Sequence, residues 1–74
     1  MKATVIGCGR WGSFIAWYLR KIGHEVTLYG REGSRHIEQF CRTRTNGLVT
    51  LEDDVRITTN LREALESELI CISI

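Results

Sequence analysis

The glycine spacing in Val5-Ile6-Gly7-Cys8-Gly9-Arg10-Trp11-Gly12 constrains this chain more than any other feature. It is a G-x-G-x-x-G set between a short apolar run and a helical pattern. At Gly7 the chain must turn sharply off a strand, in backbone angles closed to residues with a Cβ. At Gly9 the missing side chain leaves room for a pyrophosphate to approach the backbone, and Gly12 lets the new helix pack closely on its strand. The N–H groups of the helix's first turn and the positive end of its dipole then favour an anion. With a strand before, a helix after and a second strand about twenty residues on, the context is that of dinucleotide binding. The plain alternative is a tight strand–helix turn with no ligand.

Taken in order, Lys2–Ile6 reads as a buried strand with β-branched Thr4 and Val5. From Arg10 to Ile22 the period becomes helical, and Trp11, Ile15, Tyr18, Leu19 and Ile22 fall on one apolar face. Phe14, Ala16 and Trp17 widen it, as expected of a helix pressed between a sheet and something else. Gly23 suits the left-handed position that closes the helix, and His24 is expected in the solvent-facing turn. Residues 25–29 form the second strand, making a parallel, right-handed β-α-β unit. Ser34 is placed to cap a second helix reaching about Arg42, with Ile37, Phe40 and Cys41 as its buried stripe. Residues 43–54 are polar and irregular, with Asn46-Gly47 as a turn signal. Residues 55–58 read as a short third strand, and Asn60 with Glu63 as a capping box for a short helix. Residues 69–74 form an apolar strand without alternation, which suits the centre of a parallel sheet.

The expected fold is therefore α/β, a partial Rossmann-type parallel sheet of about four strands in the order 3-2-1-4 with flanking helices. The ligand crevice lies between strands 1 and 4, where the strand order reverses. A central-type strand at residue 74, without its following helix or neighbour, predicts that the chain is the truncated N-terminal part of a larger dinucleotide-binding domain.

The end of the second strand bears on the cofactor. A carboxylate there would hydrogen-bond the adenosine ribose hydroxyls of NAD. This chain instead has Gly30 and then Arg31. An arginine grips a 2′-phosphate that a carboxylate would repel, which tilts the reading from NAD towards NADP. Glu32 pulls the other way, since a shift of one residue would return an acid to the site.

Composition closes off other classes. At 74 residues, a chain buries only about 60% of its unfolded surface, so its core is marginal unless something completes it. The net charge of +1 argues against a general nucleic-acid binder. Residues 1–50 nevertheless carry eight Lys/Arg against three Asp/Glu, and residues 51–74 two against six. The positive excess lies with the glycine turn, as an anionic ligand favours. Arg20, Lys21, Arg42 and Arg44 are expected to be solvated. Cys8, Cys41 and Cys71 lack disulfide or zinc spacing and fit a reducing cytoplasm, with Cys41 and Cys71 as small core residues. Neither a catalytic thiol nor a metal site is expected, and Glu52, Asp53 and Asp54 form a charged turn without catalytic geometry. No run reaches the roughly 18 apolar residues of a membrane span, and Met1 leads directly into a strand, so no signal peptide is expected.

Residues 5–13, 23–31, 44–46 (Arg-Thr-Asn) and 57–65 resemble, in order, the N-terminal domain of NAD(P)-dependent glycerol-3-phosphate dehydrogenases. Trp11-Gly12 and the aromatic-Gly-Arg end of strand 2 are the more specific marks. The resemblance implies that Arg10 and Trp11 contact the cofactor at the glycine turn and Arg31 contacts its adenosine end, joining Gly7, Gly9 and Gly12 as cofactor-binding residues. The family usually has serine or asparagine at the position of Arg10. It also tends to have a Tyr-Leu-Pro-Gly-like segment where residues 46–51 are shorter and lack proline, which suggests a divergent branch. The resemblance further implies a helical C-terminal domain, absent here, that holds the catalytic lysine and the small phosphorylated substrate. The 74-residue chain alone is then expected to be inactive, and a homodimeric parent is compatible with the resemblance.

Two other readings compete. A ketopantoate-type or other β-hydroxyacid dehydrogenase would share the turn but normally not Trp11. A non-catalytic, nucleotide-sensing regulatory domain of a potassium-transport system is similar in Gly-Cys-Gly-Arg-x-Gly and Gly-His-x-Val, but normally carries an acid where Gly30-Arg31 stands.

Overall fold

A computed structural model of the chain describes residues 1–73. Its elements are β1 (Lys2–Ile6), α1 (Arg10–Lys21), β2 (Glu25–Tyr29), α2 (Arg35–Thr43), β3 (Arg56–Thr58), α3 (Leu61–Ala64) and β4 (Leu69–Ile72). The strands form one parallel sheet in the order β3-β2-β1-β4, as the sequence predicts. Residue 74, assigned above to the last strand, lies outside the described residues. β3 is one residue shorter than expected, Val55 being buried just ahead of it.

The register fixes which residues share a face. Val5 stands beside Leu28 and Cys71, Ala3 beside Val26, and Leu28 beside Ile57. Because side chains alternate along a strand, these point to one face. There they meet Ala16 of α1 and Ile37 and Phe40 of α2, with Leu51 and Val55 completing the core. The opposite face presents Thr4, Ile6, Tyr29, Ile70 and Ile72. Against Thr4 on that face lie Ala64 of α3, whose carbonyl accepts from the Thr4 hydroxyl at 2.5 Å, and Ser67, whose hydroxyl is 2.6 Å from it.

Several local expectations need correcting. The buried face of α1 is Gly12, Ser13 and Ala16, flanked by half-buried Ile15, Trp17 and Leu19. Tyr18 and Ile22, expected on the buried apolar face, are exposed, and so is Trp11, which the sequence also sets at the glycine turn. Small residues win because they let the helix axis approach the sheet, which turns the large side chains to the flanks. Cys41 is exposed, since α2 is short and anchors itself with Ile37 and Phe40 alone, whereas Cys71 packs against the core. Ser34 occupies the N-cap position of α2 without a side-chain cap bond. Half of the proposed capping box forms: Asn60 accepts from the Glu63 N–H at 3.2 Å, while the Glu63 carboxylate pairs with Arg56 at 2.7 Å. Gly23 does adopt positive φ (+102°), but His24 is half-buried rather than solvent-facing.

Two arginines expected to be solvated are tethers. Arg20 of α1 donates to Asp54 at 2.7 Å, and that hydrogen bond holds the Asp54 carboxyl below its usual range. A depressed carboxylate pKa contributes stability above the unfolded value, lost as pH falls through the folded one. Asp54→Asn should therefore flatten the loss of stability below about pH 4, leaving little effect at neutral pH because the pair is exposed. Urea melts across that range check this.

β4 sits at an edge of the sheet, as the expected order 3-2-1-4 has it, with Leu69, Ile70 and Ile72 exposed. An apolar strand with an unpaired edge is a template for association. The chain should self-associate with rising concentration in sedimentation velocity, and Ile72→Lys should restore a monomer. A sharp monomer boundary for the unsubstituted chain would contradict this.

Candidate functional site

The carboxyl ends of the strands meet at the glycine turn. Ile6 is level with Tyr29 and Ile72. From there the Gly7 N–H donates to the Tyr29 carbonyl (2.9 Å), the Gly30 N–H to the Thr58 carbonyl (3.1 Å) and the Ser73 N–H to the Ile6 carbonyl (2.8 Å). This places residues 7–12, 30–34 and 73 along one edge.

Each glycine of the motif has a different physical reason. Gly7 has φ +112°, and a Cβ there would lie 1.8 Å from the Ser73 carbonyl oxygen. A Cβ at Gly12 would lie 1.9 Å from the carbonyl oxygen of Gly7, so the first turn of α1 rests directly on the backbone of the strand end. A Cβ added at Gly9 would meet nothing within 4 Å. Gly9 is the N-cap of α1 with no side chain to cap it, so the N–H groups of Arg10, Trp11 and Gly12 have no intrahelical acceptor. No acidic side chain occupies that turn. Open space, free donors and a helix dipole fit an anionic group such as a pyrophosphate.

Arg10 and Trp11 are exposed at the start of α1, Trp11 by 70%. With Phe14, Trp17 and residues 48–50 they line an apolar groove of about 540 Å³ beside the glycine turn. Trp11 and Phe14 meet edge-to-face, and the Lys21 ammonium lies 4.8 Å from the Trp17 ring centroid. Arg31 is exposed one residue beyond Gly30, at the same sheet edge. It begins a turn closed by the Ser34 N–H on the Arg31 carbonyl (3.0 Å), with Gly33 at φ +88°. Gly30 is buried where a Cβ would lie 2.7 Å from the Cys8 sulfur. The Ser34 hydroxyl is 3.7 Å from that sulfur, so the Arg31 turn is packed against the glycine turn. Glu32 is equally exposed in it. Among the described residues no cluster could hold a metal ion, and no helix is long and apolar enough to cross a membrane. A second cavity of about 310 Å³, polar and lined by Lys2, Glu25 and Arg56 among others, opens at the other end of the strands.

Sequence reasoning missed the loop that walls this site. Arg44, expected to be solvated, adopts a left-handed conformation (φ 60°) and donates through Nη2 to the carbonyls of Glu52 (2.6 Å) and Val55. Asn46, read as a turn residue and as part of the Arg-Thr-Asn resemblance, accepts from the Leu48 and Val49 N–H groups (2.9 and 3.0 Å) and donates to the Ser13 hydroxyl at 2.9 Å. Asn-Gly signals a turn, but no local pattern encodes a contact 33 residues back.

Gly12→Ala should destabilise the fold by about 1–3 kcal/mol, because backbone must shift. Gly9→Ala, with negative φ and open space, should leave stability within about 0.5 kcal/mol. Denaturant titrations of both variants check the contrast.

Comparison with known proteins agrees with this geometry. Residues 2–74 match the family described as NAD-dependent glycerol-3-phosphate dehydrogenase N-terminus. The NAD(P)+ glycerol-3-phosphate dehydrogenase of Exiguobacterium sp. is 41% identical over 73 residues, covering 93% of this chain and 21% of that protein. The enzyme of the same name from Thermoanaerobacter sp. is 37% identical over 78 residues, covering all of this chain and 23% of that protein. That of Streptomyces griseus is 42% identical over 69 residues, covering 88% and 20%. The chain thus spans about a fifth of the length of the curated relatives it matches. No solved structure matches it significantly. A parallel 3-2-1-4 sheet, an uncapped glycine turn at its carboxyl edge and a match over residues 2–74 lead to one conclusion: the chain belongs to the NAD-dependent glycerol-3-phosphate dehydrogenase family, as its N-terminal NAD(P)-binding region.

Proposed function

We propose that this chain is the cofactor-holding part of an oxidoreductase that passes hydride between NAD(P)H and dihydroxyacetone phosphate or sn-glycerol 3-phosphate. The observation that carries the reading is the open N-cap at Gly9, backed by the Gly7–Gly12 contact. The nicotinamide supplies the hydride chemistry, and the protein binds and orients it. In this reading the pyrophosphate lies over Gly9, held by the N–H groups of residues 10–12. Gly7 and Gly12 keep the turn tight enough to present them. Arg10 adds positive charge, and Trp11 offers an apolar face beside the turn. The substrate and its catalytic residues belong to a helical C-terminal domain outside this chain, so the 74 residues alone have no dehydrogenase activity. Three free thiols are compatible with a reducing cytoplasm.

Arg31 is proposed to grip the 2′-phosphate, favouring NADP(H) over NAD(H). It is exposed beside the site and engaged in neither ion pair found among the described residues. A charge-assisted bond from a guanidinium to phosphate is strong and geometrically selective. Glu32, its neighbour, is the counterweight.

Calorimetric titration of the chain with NADPH and NADH tests this. Arg31→Glu should weaken NADPH binding about tenfold or more and NADH binding about threefold or less. Equal losses would remove the 2′-phosphate role, and tighter NADH binding by the unsubstituted chain would bring Glu32 forward. Gly9→Ala should weaken both cofactors.

A further inference from the structure

The loop of residues 44–51 is tied to the glycine turn by one polar relay. Its base is closed by a bridge between Thr45 and Thr50 and by the Leu51 N–H on the Arg44 carbonyl (2.8 Å). Its tip is shaped by Asn46 Oδ1, which accepts from two backbone N–H groups. That leaves Asn46 Nδ2 aimed out of the loop, donating to Ser13 Oγ. Ser13 is fully buried, and its hydroxyl lies 2.8 Å from the Gly9 carbonyl oxygen and 3.0 Å from that of Arg10. A hydroxyl carries one proton. With Asn46 occupying a lone pair as donor, the Ser13 proton is directed back at the N-cap peptide of α1.

We propose that Asn46 is a positioning residue for dinucleotide binding, acting through Ser13 to fix the Gly9 peptide and so aim the N–H groups of residues 10–12 at the pyrophosphate. The inference rests on the dinucleotide reading above. The relay runs from a loop anchored by Arg44 to the carbonyl of Gly9, the glycine of the G-x-G-x-x-G set at which an added Cβ would meet nothing. The same loop carries residues 48–50, which face Trp11 and Phe14 across the apolar groove. Asn46 therefore sets the wall of the site and the orientation of its donors together. It touches no reacting atom.

The test uses Asn46→Ala and Ser13→Ala, the second leaving the Asn46 turn intact and removing only a buried hydroxyl. In amide NMR spectra without ligand, both should shift the resonances of residues 9–12. Unmoved resonances there in both variants would overturn the relay. Titrations then compare NADPH with adenosine 2′-monophosphate, which lacks the pyrophosphate. Each variant should bind NADPH about 5- to 10-fold more weakly, with adenosine 2′-monophosphate changed less than about twofold. The double variant should lose no more than either single one, because both interrupt one relay. Equal losses for the two ligands, or NADPH affinity unchanged, would overturn the proposal while leaving the dinucleotide reading standing. No binding of NADPH by the unsubstituted, folded chain would overturn that reading and this role with it.

Discussion

The contact between the backbones of Gly7 and Gly12 is the constraint on which the rest of the molecule depends. A single added carbon at residue 12 would collide with the carbonyl oxygen at residue 7. That proximity seats the first turn of α1 on the end of β1. It buries Ser13 and Ala16 against the sheet and leaves the bulkier residues of the helix at its flanks. It also points the N-terminus of α1 at the sheet edge where the carboxyl ends of β1, β2 and β4 converge. A dipole end with free N–H groups is thereby held rigidly, which is what binding an anion through backbone donors requires.

Two tethers extend that seat outward. The Arg31 turn is packed against Cys8 through Gly30 and Ser34. The Asn46 loop reaches Ser13 from the other side. One brings a guanidinium to the adenosine side of the proposed site, and the other supplies an apolar wall. Ile70 and Ile72 are exposed on the face where α3 packs against β2 and β3. The chain spans about a fifth of the length of its curated relatives.

Much of this was legible because the signals are local. The glycine turn, strands β1 and β2, positive φ at Gly23 and the strand order follow from period, punctuation and the chirality of parallel crossovers. The buried face of α1 was misread because hydrophobic periodicity counts large side chains, whereas close helix–sheet packing selects small ones. Cys41 failed for a related reason. An apolar pattern says what could be buried, not whether a covering element reaches it. Arg20, Arg44 and Asn46 were read as solvated or as turn residues because their partners lie 8 to 34 residues away. The roles assigned to Gly7, Gly9, Arg10, Trp11, Gly12 and Arg31 came from motif chemistry and resemblance. The geometry gathers these residues at one edge of the sheet. The family match favours the dehydrogenase over the potassium-transport sensor and the ketopantoate-type reductase.

The central claim is that the dinucleotide sits across the carboxyl edge with its pyrophosphate over Gly9. Amide chemical-shift mapping of the isotopically labelled chain during titration with NADPH tests it most directly. The account predicts that the largest, saturable shifts fall on Gly7 and residues 9–12, with a second group at residues 30–33. Shifts centred instead on the polar cavity of Lys2, Glu25 and Arg56, at the opposite end of the strands, would contradict it.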